Sequence, residues 1–248
     1  MTIEPRSLEG EAIDCQACLY HDRQDIRCAI GKACIMDRLA SRIDHFFKQN
    51  SFLAEQYLEH PYFEVRAIIA KHVSLFHLRR LAHDPDETVR ASVAMRAPRS
   101  LLLSLCQDPS REVRVRVAAK LKDKDLLLLV RDPDYYVRTI VAMRLPITML
   151  AMLCNDPDSE VRATVATRIE AQWLLVMARD EEPRVRLAVA KRLEPQQLAI
   201  FQNDTDWLVR LEAAKRITPT LLELFSNDPE EEIRQIVVQR RNKENVSW

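Results

Sequence analysis

The stretch DPDETVRASVAMR, residues 84–96, decides the fold. It reads as a helix start. Asp84 is an N-cap candidate, Pro85 suits the first helical position, and Asp86 and Glu87 complement the positive end of a helix. Val89, Val93 and Ala94 follow at helical spacing and predict one buried face. Pro98 predicts the stop. Two units further on, Val137, Val141, Ala142 and Pro146 repeat the reading.

Counted from Asp84 as position 0, the unit recurs every 24 residues, at His60, Asp84, Asp108, Asp132, Asp156, Asp180, Asp204 and Asp228. Position 6 is arginine in all eight units: Arg66, Arg90, Arg114, Arg138, Arg162, Arg186, Arg210 and Arg234. Self-similarity at a period of this size marks a solenoid, in which neighbours bury each other's apolar faces. Beyond the helix stop (Pro98, Pro146, Pro195 or Pro219) lies a second apolar segment, such as SLLLSLC at 100–106 or DLLLLV at 125–130. It is too short to persist alone in water, so packing must hold it as a short α-helix or a 3₁₀ turn. Residues 51–59, SFLAEQYLE, resemble the second half of a unit, with the N-terminal module standing in for the first half. The polar end QRRNKENVSW, residues 239–248, suits a solvent-facing cap.

Composition narrows the function classes. Of 248 residues, 37 are basic and 37 acidic, so no global field draws the protein to nucleic acid or a membrane. Hydrophobic residues make up 47%, enough for a continuous core, while only two glycines, Gly10 and Gly31, disfavour tight hairpins. No apolar run has the length of a membrane span, and the first residues lack the pattern of a secretory signal. A cytoplasmic setting is expected, where six cysteines point to metal ligation or burial before disulfides. No phosphate loop, nucleophile elbow or zincin motif is present, so no enzyme is expected.

The arginine columns divide into two kinds. At 100° per residue, position 6 falls inside the apolar stripe formed by positions 5, 9, 10 and 13. A buried guanidinium needs a carboxylate, and the aspartate at position 0, in the same unit or the next, is the available partner. The predicted structural ladder is Asp84, Arg90, Asp108, Arg114, Asp132, Arg138, Asp156, Arg162, Asp180, Arg186, Asp204 and Arg210. Position 12 (His72, Arg96, Lys120, Arg144, Arg168, Arg192, Arg216 and Arg240) lies at the stripe's edge. Its plain reading is a solvated helix end whose cations complement the dipole. Its functional reading is a ligand or partner surface at Arg96, Lys120, Arg144, Arg168, Arg192 and Arg216, suited to phosphate or nucleic acid. Zero net charge, acidic helix starts and the lack of interleaved aromatics count against nucleic acid. Positions 7 and 11 (Ala91, Met95, Ala119, Thr139, Met143, Ala163, Thr167 and Leu187) form a modest apolar patch suited to a protein partner.

The N-terminal cysteines read C-x2-C-x9-C-x5-C at Cys15, Cys18, Cys28 and Cys34. Four thiolates within so short a stretch can hold zinc or an iron–sulfur cluster, the alternative being four thiols without a metal. Only the first pair has zinc-like spacing, although His21 can replace one sulfur. The uneven intervals suit ligands spread around a larger cubane. Arg23, Arg27, Lys32 and Arg38 either offset the charge of such a site or pair at the surface with Asp14, Asp22, Asp25 and Asp37. Gly31 sits where the backbone has to turn closely around the metal site. Cys106 and Cys154 share position 22 and read as small buried hydrophobes. Histidines 45, 60, 72, 77 and 83 lack ligand spacing and read as structural or surface residues.

The pattern D-P-[DE]-x-x-V-R-x-x-V-A-x-[RK]-L with its short leucine segment resembles the leucine-rich repeat variant family over residues 51–248. The strand motif of ordinary leucine-rich repeats is absent. The resemblance implies alternating α- and 3₁₀-helices in a right-handed superhelix, akin to armadillo and HEAT arrays. With the four-cysteine module in front, the chain resembles the iron–sulfur members of that family, known from nitrogen-fixing bacteria. That implies a [4Fe–4S] cluster ligated by Cys15, Cys18, Cys28 and Cys34, with zinc as runner-up. The expected organisation is an all-α solenoid: a cluster module at 1–48, then eight 24-residue repeats and a partial one at 49–248. The expected role is a protein-interaction scaffold whose cluster serves electron transfer, redox sensing or structure. The rival is a nucleic-acid-binding repeat protein using the position-12 row.

Overall fold

The computed structural model describes residues 4–245, and the last three residues of the polar tail lie outside that range. Among the described residues there is no strand, only two isolated antiparallel bridges, Arg6 with Ala12 and Ala29 with Ala33. By compactness the chain divides into Met1–Leu121 and Lys122–Trp248. The division falls within the repeats, so the cysteine module and the first repeats share one unit.

Each repeat supplies one α-helix and one short helix. In the first unit the α-helices Ala40–Gln49, Phe63–Ile69, Glu87–Ala94 and Arg111–Lys120 pack in succession. In the second unit Tyr135–Arg144, Ser159–Ala166, Pro183–Ala190, Trp207–Arg216 and Glu231–Asn245 do the same. Position 5 is fully buried throughout, as at Val89, Val137, Val161, Val185 and Val209. Positions 9 and 10 join it, as Val141 with Ala142 and Val165 with Ala166. Each buried valine contributes roughly 1.5–3 kcal/mol, and the alanine lets the next helix approach.

The second segment takes both forms open to it. It is α-helical at Leu75–Leu81 and Ala171–Met177, and 3₁₀ at Asp123–Leu129, Ile147–Leu153, Pro195–Phe201 and Pro219–Phe225. Position 18 is buried leucine and position 21 a second large apolar residue: Leu126 with Leu129, Leu150 with Leu153, Leu198 with Phe201, Leu222 with Phe225. An i, i+3 pair eclipses at three residues per turn, which is why a 3₁₀ helix can bury both. Position 20 then faces outward.

The helix start needs a correction. Asp84 is not the N-cap; the helix begins at Glu87, and Asp86 caps it by accepting from Thr88 N–H. Asp134, Asp158 and Asp206 cap their helices in the same way, two residues after the expected place. The reason is that the position-0 carboxylate is committed elsewhere. Its Oδ1 accepts the N–H of position 2, as from Asp86 to Asp84 at 2.9 Å and from Asp158 to Asp156 at 2.9 Å. Proline at position 1 therefore lies in the turn before the helix.

Both oxygens of the same carboxylate also meet the arginine of the preceding repeat. Arg138 donates from Nε to Asp156 Oδ2 at 2.7 Å and from a terminal nitrogen to Oδ1 at 2.9 Å. Its other terminal nitrogen donates to the carbonyls of Asp132 and Pro133 in its own repeat. The same bidentate pairing joins Arg66 to Asp84 and Arg90 to Asp108 in the first unit. It joins Arg162 to Asp180, Arg186 to Asp204 and Arg210 to Asp228 in the second. Arg114, buried likewise, donates to the carbonyls of Asp108 and Pro109. Each of the six bidentate arginines thus fastens its own turn and the next. His60 keeps the turn half of the position-0 role, its Nδ1 accepting from Tyr62 N–H at 3.3 Å.

Candidate metal centre

The cysteine module has little regular structure. Turn bonds run Cys18 N–H to Cys15 O, His21 N–H to Cys18 O, and Ala29 and Ala33 bond reciprocally at 2.8 Å. Gly31 at the tip of that last turn has φ +73°, and a β-carbon there would meet Pro5 Cγ at 3.2 Å. A side chain would be strained on both counts. Asp37, with 0% of its side chain exposed, accepts from Leu39 N–H and from Arg42, whose own carbonyl accepts Cys34 N–H at 3.2 Å.

These turns bring all four cysteines around one cavity of about 290 Å³, with Ile13, Tyr20, His21, Arg23, Ile26 and Ile30 completing its wall. All four are free thiols; Cys34 is buried, Cys28 exposed, Cys15 and Cys18 between. Burial pushes the Cys34 thiol up to about 11, against hydrogen bonds from the Met36 and Asp37 N–H groups, and Cys28 and Cys18 add to the rise. Loss of water around its sulfur also shifts Cys28 upward, with Cys18 and Cys15 contributing. The thiols therefore feel one another, and a cationic metal centre would relieve that repulsion. Among the described residues no three metal-ligating side chains gather at single-ion distance. Zinc, at about 2.3 Å from each sulfur, would need the thiolates almost in contact. Four sulfurs ringing a cavity suit a cluster with one thiolate per iron.

The charges around the cavity are partnered locally. Arg23, in the cavity wall, pairs with Asp25 at 2.6 Å. Asp37 pairs with Arg42, a cation outside the four named from the sequence. Asp14 accepts from Gln16 N–H, and His21 lies 3.7 Å from Asp22. Of the histidines, His72 meets Asp44 at 3.1 Å and His77 meets Glu55 at 2.9 Å. Cys106 and Cys154 are buried at 6% exposure, and neither lines the four-cysteine cavity.

The position-12 row turns inward. Arg96 donates to Ala70 O at 2.8 Å, at the C-cap of the preceding repeat's helix, and to Val73 O at 3.0 Å, just beyond it. Arg168 reaches Ala142 O and Leu145 O, Arg192 reaches Ala166 O, and Arg216 reaches Ala190 O and Leu193 O. The alanine carbonyls lie in the last turn or at the C-cap of the neighbouring helix, where the backbone runs out of intrahelical donors, so each of these arginines caps its neighbour. Lys120 and Arg144 are exposed.

The apolar patch at positions 7 and 11 is uneven. Met95 and Met143 are 46% and 51% exposed, whereas Thr139 is buried and donates to Tyr135 O. A more regular exposed column was missed in the sequence: position 20, with Leu128, Met152, Val176, Ile200 and Leu224. The signal was present in the register, since a 3₁₀ segment that buries positions 18 and 21 must expose position 20.

A solved structure described as a leucine-rich repeat variant with a novel repetitive structural motif superposes with a TM-score of 0.86. It is 37% identical, and the match covers 92% of this chain and 98% of that one. The chain belongs to the leucine-rich repeat variant family. Its fold is accordingly the all-α repeat solenoid of that family. Residues 5–56 of this leucine-rich repeat variant match the family model for the LRV protein FeS4 cluster. The module's cofactor is thus a [4Fe–4S] cluster, and the protein is an iron–sulfur repeat protein. A curated Rhodobacter capsulatus protein, described as an uncharacterized 27.7 kDa protein in the nifB 3′ region, is 42% identical over 87 residues. That match spans 35% of this chain and 36% of the relative's length. No helix among the described residues is long and apolar enough to cross a membrane.

Proposed function

We propose that this leucine-rich repeat variant is a non-enzymatic scaffold in which Cys15, Cys18, Cys28 and Cys34 ligate the cluster and a docked protein exchanges electrons with it. The observation that carries this reading is the shared cavity, with Cys28 exposed beside it. When bound, a [4Fe–4S] cluster supplies a one-electron couple whose potential follows hydrogen bonding to sulfur and solvent exposure. The chain's own part is to place the four thiols, to direct the Met36 and Asp37 N–H groups at Cys34, and to leave one corner accessible.

Leu19 and Ile30, 81% and 51% exposed, flank Cys18 and line the cavity respectively. Exposed apolar side chains beside a redox centre suit a short-lived protein contact. The likeness to a protein of a nifB 3′ region makes the products of such regions the first partners to try. A reducing cytoplasm fits six free thiols.

The test is anaerobic purification with iron, sulfide and zinc analysis, electron paramagnetic resonance and a midpoint potential. Equal iron and labile sulfide, lost in each of C15S, C18S, C28S and C34S, is the expected result. Zinc without sulfide would end the cluster-ligand reading, and a cluster with no reversible couple would end the electron-transfer reading. Affinity for DNA or RNA that falls steeply with salt would replace the protein partner with the nucleic-acid alternative.

A further inference from the structure

Asn50 stands between the helix Ala40–Gln49 and the short helix Ser51–Tyr57, with 1% of its surface exposed. Its side-chain amide is in full use. Oδ1 accepts from Arg27 N–H at 2.9 Å, while Nδ2 donates to Arg27 O at 2.8 Å and to Phe46 O at 2.8 Å. The bond to Phe46 O is ordinary work for an asparagine after a helix. The pair to Arg27 is different, because one side chain takes both the N–H and the C=O of a residue 23 positions away. That residue immediately precedes Cys28.

A second contact points the same way. At the far end of the same short helix, the Tyr57 hydroxyl meets the Tyr20 hydroxyl at 2.6 Å. Tyr20 is two residues beyond Cys18 and lines the cysteine cavity. Its ring also packs on Phe46, with centroids 5.7 Å apart. The loop that carries Cys18 and Cys28 is therefore pinned at both ends of Ser51–Tyr57. Elsewhere it relies on single turn bonds, such as Arg23 N–H to Tyr20 O and Ile26 N–H to Arg23 O at 3.3 Å.

We propose that Asn50 is a positioning residue for the cluster: by holding both backbone groups of Arg27 it fixes the direction in which Cys28 presents its sulfur to the cavity. The inference rests on the reading that the four cysteines are the cluster's ligands. Cys28 is the exposed thiol of the four, so its place is the least constrained by packing and the most dependent on such a clamp. Partners that orient a metal ligand typically change metal retention by about 10–100-fold when removed.

The experiment uses the full chain, purified anaerobically, as Asn50→Ala, Tyr57→Phe and a distant control, Leu222→Ala. Iron release to a chelator, the electron paramagnetic resonance line shape and the midpoint potential are read for each. Asn50→Ala is expected to release iron about 10–100-fold faster, with an altered line shape and potential. Tyr57→Phe should show a smaller change of the same kind. Leu222→Ala should melt at lower temperature yet keep the wild-type spectrum and release rate. Wild-type release, spectrum and potential in Asn50→Ala would overturn the proposal.

If Asn50→Ala does not fold, Asn50→Asp serves, because it keeps the acceptor for Arg27 N–H and loses both donors. Faster release from it supports the proposal, and an unchanged rate defeats it. Hydrogen exchange at Arg27 N–H in cluster-free protein gives an independent reading: faster exchange in the variant is expected, and an unchanged rate refutes the clamp. If wild-type protein holds no iron and sulfide, the ligand reading fails, while the exchange measurement still judges the clamp.

Discussion

The cysteine module and the repeats solve the same problem, burying polar groups, by opposite means. In the repeats one solution is reused: an arginine closes two turns at once, and an arginine six residues later caps the helix before it. In the module each contact occurs once: Asn50 for Arg27, Asp37 for Leu39 and Arg42, Tyr57 for Tyr20. Among the described residues neither strategy leaves a buried side-chain nitrogen or oxygen without a partner. The difference lies in how damage spreads. A repeat array distributes stability over nearest-neighbour joints. A loop with single pegs and a metal centre stands or falls as one piece.

Removing the cluster is the largest challenge to that comparison. Chelation under anaerobic conditions should sharply lower hydrogen-exchange protection around residues 15–34, sparing Arg27 N–H, which Asn50 still holds, and leave protection intact across residues 135–225. Loss of protection in both regions would mean the cluster stabilises far more than its own loop. Breaking one ladder joint comes next. Arg138→Ala strands the buried Asp156 carboxylate, whose side chain is 3% exposed, and should cost about 3–5 kcal/mol in urea unfolding. A cost below about 1 kcal/mol would show that neighbouring joints absorb the loss.

Acid provides a milder probe. Burial works against ionisation of Asp44, but Lys48, His72 and Lys71 together hold its pKa down at about 2 from the ordinary 3.8. A depressed folded pKa gives stability that is complete above about pH 4 and disappears as the pH falls toward 2. Asp44→Asn should therefore flatten that part of the stability curve, by at most about 2 kcal/mol. Asp84 and Asp180 act with the same sign. Burial raises them, yet hydrogen bonds from Arg66 or Arg162 and a backbone N–H leave both below the ordinary value. The smallest effect belongs to a single cap: Asp206→Ala, which removes the acceptor for Leu208 and Val209 N–H, should cost about 1 kcal/mol in thermal melts.

The repeats were legible because their physics is periodic. The interval of 24 and the arginine inside an apolar stripe were enough to predict a buried guanidinium facing aspartate. The neighbouring repeat as partner was one of two options, since sequence spacing cannot say which turn lies within reach. The misplaced cap has a similar origin. Asp84 and Asp86 both suit a helix start, and only the prior claim of Arg66 on Asp84 separates them. Arg168 at the stripe's edge was read as solvated because a projection of one helix omits the carbonyls of the next. In the module, the cysteine spacing named the donors, but nothing periodic pointed to Asn50. Its partner lies 23 residues back in a segment without regular structure.

His60 and the aspartates that follow it carry one more consequence. Within each unit the joints are keyed the same way, arginine to the aspartate 18 residues ahead. Excising residues 156–179 would bring Asp180 to the distance from Arg138 that Asp156 now holds. The shortened chain should keep its helicity per residue by circular dichroism. Histidine at position 0 cannot offer a bidentate carboxylate, so the first repeat lacks the socket that all seven later ones possess. The array is thus a one-ended thread: units can be gained or lost behind its first turn, while the turn itself is reserved for the module that carries the cysteines.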